Sequence, residues 1–199
     1  KNLIDDIRGR GNAVTAGDIG YRYVVQALLD NGASDVLFDM NSRYDVPGYG
    51  YQLACGETAL AESWMSKDYL SHNHCMLGHL YSWLFNGLGG LSQAPGSVGY
   101  KEVVIDPQVV GDIRSARVAF ESPYGLIRSE WNDTPQTFRQ TVEIPGNASA
   151  LVYLPTADPE AISENGQPLD KIEGITVERK GDRTVLHVGS GVYNFSVRK

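Results

Sequence analysis

The 199-residue sequence predicts an α+β chain in two segments: about four helices, then an antiparallel β-sandwich of about eight strands. Three observations carry that expectation. Apolar residues recur at helical spacing in the first part, the period falls to two beyond residue 100, and a Gly/Ser/Pro-rich stretch at 87–99 separates the two regimes. The boundary is therefore set at residues 1–92 for the helical segment and 93–199 for the sandwich.

Residues 18–29 place Ile19, Tyr23, Val24, Ala27 and Leu28 near the 3.6-residue period, and Asn31-Gly32 supplies a C-terminal stop. Ser34 is then positioned to cap a second helix through residue 40, with Asp35 favourable in its first turn. Pro47-Gly48 and Gly50 break the chain. A third helix is expected over about 56–66 and a fourth over about 71–85, ending at Gly87. Helix following helix through short connections indicates stacked antiparallel helices. Beyond the boundary, residues 100–105, 115–120, 125–131, 138–144, 150–154, 174–178, 183–188 and 192–197 read as strands. Asn165-Gly166, Lys180-Gly181-Asp182 and Ser190-Gly191 are turn signals between them.

Composition narrows the function classes. A net charge of −7 opposes nucleic-acid binding, which asks for clustered Lys and Arg. No apolar run approaches the roughly 20 residues that span a bilayer, so no membrane partner is expected. Cys55 and Cys75 are expected to be buried free thiols.

The stretch 48–64, followed by Ser71-His72-Asn73-His74, sets Glu57 and Glu62 among tyrosines, a tryptophan and histidines. Carboxylates beside aromatic rings are the materials of a sugar-cleaving site. On one ideal helix the two glutamates would sit about 140° apart, so they would not point into a single site. Glu57 reads either as a carboxylate against apolar surface or as a first-turn acid favoured by the helix dipole. Glu62 falls on a small, polar face suited to lining a cavity, and either residue can also be a solvated or ion-paired helix glutamate. Tyr49, Tyr51 and Trp64 are candidates for a sugar-stacking wall.

Other chemistries fit less well. His72, His74 and His79 lack a third ligand at firm spacing, so no metal is expected, and no cofactor motif is present. The run 39–45 fails as a calcium loop because Arg43 stands at a ligand position and Tyr44 replaces the turn glycine. Gly9-Arg10-Gly11 and Gly48-Tyr49-Gly50 lack the strand-then-helix context of a phosphate loop, and no nucleophile elbow occurs.

The segments Thr15-Ala16-Gly17-Asp18-Ile19-Gly20, Pro47-Gly48-Tyr49-Gly50-Tyr51, the run 56–64 and Ser71-His72-Asn73-His74 resemble, in order, the end of the catalytic domain of α-L-rhamnosidases, glycoside hydrolase family 78. The stretch 99–107 and Ser122-Pro123-Tyr124-Gly125 resemble the β-sandwich that follows it. The resemblance covers essentially the whole chain. It implies part of an (α/α)6 toroid and inverting removal of terminal α-L-rhamnose, with a rhamnose-containing carbohydrate as partner. The family's general base falls on Glu62 and its sugar-binding histidine on His74. Tyr49 matches an aromatic position that is often Trp, and Trp64 closes the motif. Glu57 stands where the family commonly has Ala.

About four helices are present where a toroid has twelve, and the segment carrying the general acid is absent. The chain is therefore expected to be a C-terminal portion of a longer enzyme, inactive by itself. Its unpartnered apolar helix faces would be open to self-association. A secreted or periplasmic parent protein is compatible with this reading. The competing reading is a non-catalytic carbohydrate-binding or scaffolding module built on the sandwich, and a third is a toroidal glycosidase of different sugar preference.

Overall fold

The computed structural model describes residues 2–199, in two compact units divided between Leu84 and Phe85.

The first unit is helical. Helix α1 (Asn2–Gly9) buries Ile7, and its Arg8 bonds Asp35 at 3.1 Å and also Asp39. Both acids lie on α3 (Ser34–Asn41), so α1 and α3 are tied by charge as well as by packing. Helix α2 (Asp18–Asp30) buries Tyr21, Val25 and Leu28, spaced to share one face. It stops where the sequence indicates: Asn31 is the C-cap and Gly32 takes φ +64°, a left-handed turn that glycine enters without Cβ strain. Ser34 opens α3 with Ala33 at the cap position, and its hydroxyl accepts from Trp83 Nε1 at 2.9 Å.

Helix α4 (Tyr49–Ala54) begins directly after the Pro47-Gly48 break. Gly50 is required here, because a Cβ on it would lie 2.1 Å from the Arg43 carbonyl oxygen. The expected third helix over 56–66 does not form. Residues 55–74 run without regular structure: beyond Cys55 their backbone bonds are isolated tight turns, such as Ser66 N–H to the Ser63 carbonyl, and the cross-loop pairs Glu62–Ser71 and Leu60–His74, in place of a helical ladder. The expected fourth helix is reduced to a 3₁₀ turn (Cys75–Leu77), a short α5 (Leu80–Ser82) and a π-helical turn (Trp83–Leu88). The angular separation of Glu57 and Glu62 on one helix therefore does not apply. Cys55 and Cys75 are free thiols as expected, but both are exposed rather than buried.

The second unit is a two-sheet sandwich of eleven strands. One sheet has the order β1 (Leu91–Gln93), β2 (Glu102–Ile105), β6 (Ser149–Leu154), β10 (Arg183–Val188), β9 (Thr176–Lys180). The other has the order β3 (Ser115–Ser122), β4 (Gly125–Asp133), β5 (Thr137–Ile144), β11 (Gly191–Arg198), β7 (Ile162–Glu164), β8 (Gln167–Pro168). All pairs are antiparallel except β2 with β6, which run parallel. Each of the eight expected strands is present. The short β1, β7 and β8, of two or three residues, lacked enough alternation to be read.

Alternation along the strands builds the core. Ile127, Ser129 and Trp131 of β4 face inward with Phe138, Gln140, Val142 and Ile144 of β5. Trp131 stacks on Phe138 and donates its indole N–H to the Leu88 carbonyl at 2.6 Å, so a large ring is buried with its one donor satisfied. Gly90 lets the chain enter β1. It has φ +71°, and a Cβ there would lie 2.2 Å from the Pro107 nitrogen. Gly90→Ala is expected to destabilise the sandwich by about 3 kcal/mol, read as a lower urea midpoint with an unchanged slope.

Candidate functional site

Three rings form the apolar part of the site. Tyr21 of α2 meets Trp64 edge-on with centroids 4.9 Å apart, and Tyr49 of α4 meets Trp64 edge-on at 5.0 Å. Edge-to-face contacts of this kind add to simple burial. Trp64 is buried and donates Nε1–H to the Ala16 carbonyl at 2.8 Å, which fixes its ring plane. Tyr49 donates its hydroxyl to the Leu77 carbonyl. Burial pushes the Tyr49 hydroxyl up to about 12 and raises that of Tyr21 further, Tyr49 beside it adding to the effect. Both phenols are therefore neutral donors at any physiological pH.

The polar part is a pair of chain segments laid against each other. The Glu62 amide donates to the Ser71 carbonyl at 2.8 Å, and the Ser71 amide donates to Glu62 Oε2 at 3.0 Å. One step along, the His74 amide donates to the Leu60 carbonyl at 2.7 Å. Residues 60–62 and 71–74 are thus held side by side. Buried Gln52 clamps the same segment from α4: its Nε2 donates to the Ser63 carbonyl at 3.0 Å and its Oε1 accepts the Ala61 amide at 3.4 Å. Glu62 lies between the two clamped residues, with its own side chain exposed. His74 is half-buried, and its Nε2 is buried without a protein partner, as is Nδ1 of His79.

Glu57 occupies a different environment. Its Oε1 accepts from the Ser66 hydroxyl and bonds His72 Nδ1 at 2.7 Å. Its side chain is only 10% exposed. The Ser66 hydroxyl, and secondarily His72, hold its carboxyl below the ordinary carboxylate range. Glu57 also lines a cleft of about 350 Å³ with Tyr49, Gln52, Leu53, Thr58, Ala59 and Leu60.

The four residues singled out from sequence thus fall into two linked pairs. Tyr49 and Trp64 touch directly, while Glu62 and His74 are joined through the paired segments that carry them. The cleft takes in Tyr49 and Glu57, whereas Glu62, His74 and Trp64 lie outside its lining. Sequence reasoning missed Gln52, Ser71 and Tyr21. A buried glutamine on a short helix is the one signal for Gln52, and nothing local distinguishes the backbone of Ser71. Among the described residues, no three His, Cys, Asp or Glu side chains group as metal ligands.

Gln52→Leu fills similar space but leaves the Ala61 amide and Ser63 carbonyl unpaired. The expected loss is about 2 kcal/mol, with faster limited proteolysis confined to 55–74. Glu57 gives a pH test. Its folded-state value lies below the ordinary 4.5, so its contribution is complete above that value and is lost as pH falls through the lower folded one. The Tm difference between the parent chain and Glu57→Gln should be present at neutral pH and shrink once pH drops below about 4.5.

Two family profiles match the chain. Residues 1–88 match the bacterial alpha-L-rhamnosidase six-hairpin glycosidase domain, and residues 90–168 match the bacterial alpha-L-rhamnosidase C-terminal domain. An α-L-rhamnosidase of Streptomyces avermitilis is 28% identical over 204 residues, 98% of this chain and 19% of that protein. The solved α-L-rhamnosidase from Dictyoglumus thermophilum superposes with TM-score 0.88 at 27% identity, over 100% of this chain and 23% of its own. The S. avermitilis enzyme complexed with L-rhamnose gives TM-score 0.85 at 27% identity, over 98% and 19%. The chain therefore spans about a fifth of the length of the relatives it matches.

Proposed function

The chain belongs to the bacterial α-L-rhamnosidase family, whose two domain profiles account for residues 1–88 and 90–168, and from this premise we propose that it supplies the base-bearing wall of an inverting rhamnosidase site. Glu62 is the general base in this reading. The observation that carries it is the contrast between the two carboxylates. Glu57 has one oxygen occupied by two donors and is largely covered, whereas Glu62 is exposed and oriented by a single backbone N–H. An exposed, oriented carboxylate can take a proton from a water; one saturated with donors is a poor base.

In the reaction, Glu62 accepts a proton from water as the water oxygen attacks the anomeric carbon of a terminal α-L-rhamnosyl unit. The bond to the leaving oxygen breaks, and that oxygen takes its proton from a second carboxylic acid. Inversion requires the two carboxyl groups to stand roughly 6.5–9.5 Å apart with the water between them. The acid belongs to a part of the six-hairpin domain other than these residues. His74 contacts sugar hydroxyls through its imidazole. Tyr49 and Trp64 spend their polar hydrogens on the Leu77 and Ala16 carbonyls, so they act as apolar walls for the pyranose rather than as donors to it. The 199 residues alone hold one member of the acid/base pair and should not turn over substrate.

In a rhamnosidase bearing these residues within a complete six-hairpin domain, Glu62→Gln should lower kcat on a nitrophenyl α-L-rhamnoside by about 10²–10⁴-fold. Turnover near that of the parent would remove Glu62 from the role. Rhamnoside binding by the 199-residue chain that survives Glu62→Gln would favour a binding module instead.

A further inference from the structure

Residues 57–72 form a loop that carries Glu62, and one residue, Glu57, fastens it at three points, one through its backbone and two through its side chain. The amide of Glu57 donates to the Gln52 carbonyl at 3.0 Å, which anchors the start of the loop to α4. Its Oε1 reaches His72 at the far end, fifteen residues away, and Ser66 between them. Ser66 takes φ +49°, a left-handed conformation that a residue with a Cβ adopts only where its surroundings hold it. Its bond to Glu57 and its amide bond to the Ser63 carbonyl at 3.0 Å supply that hold. His72 directly follows Ser71, whose N–H orients the Glu62 carboxylate.

Closing a loop removes freedom that its ends would otherwise have. The Ser71 donor is therefore placed through its neighbour rather than by any bond of its own to Glu57. We propose that Glu57 is a positioning residue for the base: by joining Ser66 and His72 it holds Ser71 N–H against Glu62. This deepens the reading of Glu62 given above and rests on it. Glu57 touches neither the sugar nor the attacking water in this scheme. A charged oxygen suits the task because it accepts two donors strongly at one atom. Glutamine keeps the acceptor atom without the charge, and alanine keeps neither.

The test has two arms. In the 199-residue chain, amide exchange followed by NMR should show Glu57→Ala accelerating the Ser71 and Glu62 amides by about 10-fold or more, with Val25 of α2 unchanged. Glu57→Gln should retain most of the protection. In the enzyme with a complete six-hairpin domain, Glu57→Ala should lower kcat by about 10–100-fold with KM little changed, and Glu57→Gln should largely restore it. Unchanged exchange at Ser71, or equal acceleration at Val25, overturns the proposal. So does selective acceleration without a fall in kcat in an enzyme that Glu62→Gln inactivates. Full turnover by Glu62→Gln instead overturns the base assignment itself, and the exchange arm still decides whether Glu57 orders the loop.

Discussion

The side-chain amide of Gln52 is buried within α4, and its two bonds fix the chain on either side of Glu62. A primary amide away from water must find both a donor and an acceptor. Here it finds them on the Ala61 nitrogen and the Ser63 oxygen, the residues on either side of Glu62. Once those groups are taken, the segment is set up for pairing with residues 71–74, and the Glu62–Ser71 and Leu60–His74 bonds follow. Glu62 is then presented outward because both neighbours are drawn inward. Gly50 makes this arrangement possible, since only a residue without Cβ lets α4 approach the Arg43 carbonyl so closely.

The sandwich was almost fully legible in the sequence, and the site was not. Strands such as β10 and β5 are specified by their own alternation, because one face meets the core and the other meets water. Asn165-Gly166 and Gly181 mark turns with left-handed residues, which the backbone confirms. The stretch 56–66 misleads for the opposite reason. Its Ala, Leu and Glu residues favour a helix locally, but its course is fixed by the Gln52 side chain and by pairing of Leu60 and Glu62 with His74 and Ser71, contacts that local propensity does not register. The exposed cysteines have the same origin, since Cys55 opens the irregular segment 55–74 and Cys75 directly follows it. The choice between Glu57 and Glu62 drew on family resemblance, while the physical contrast between them appears only in three dimensions.

The aromatic trio shows how a fixed cluster of rings is made without a long helix. Each of Tyr49 and Trp64 is held by ring contact on one side and by a hydrogen bond to a distant carbonyl on the other. Ala16 precedes α2 and Leu77 ends the 3₁₀ turn, so the rings bind together pieces of chain that regular structure leaves apart. A site on an irregular loop gains its precision from such cross-links.

The order of strands in the two sheets carries a consequence for how the sandwich comes to exist. Strand β10 lies between β6 and β9, and β11 lies between β5 and β7, so the last two strands in sequence are interior to both sheets. While a ribosome is still emitting the chain, β5 and β6 wait with open hydrogen-bonding edges until residues 183–198 emerge. Contacts of such long sequence separation are slow to form, and unpaired edges invite other strands meanwhile. The nascent sandwich is therefore most exposed to misassociation until residues 183–198 emerge, and these two strands act as the closing piece that removes the hazard.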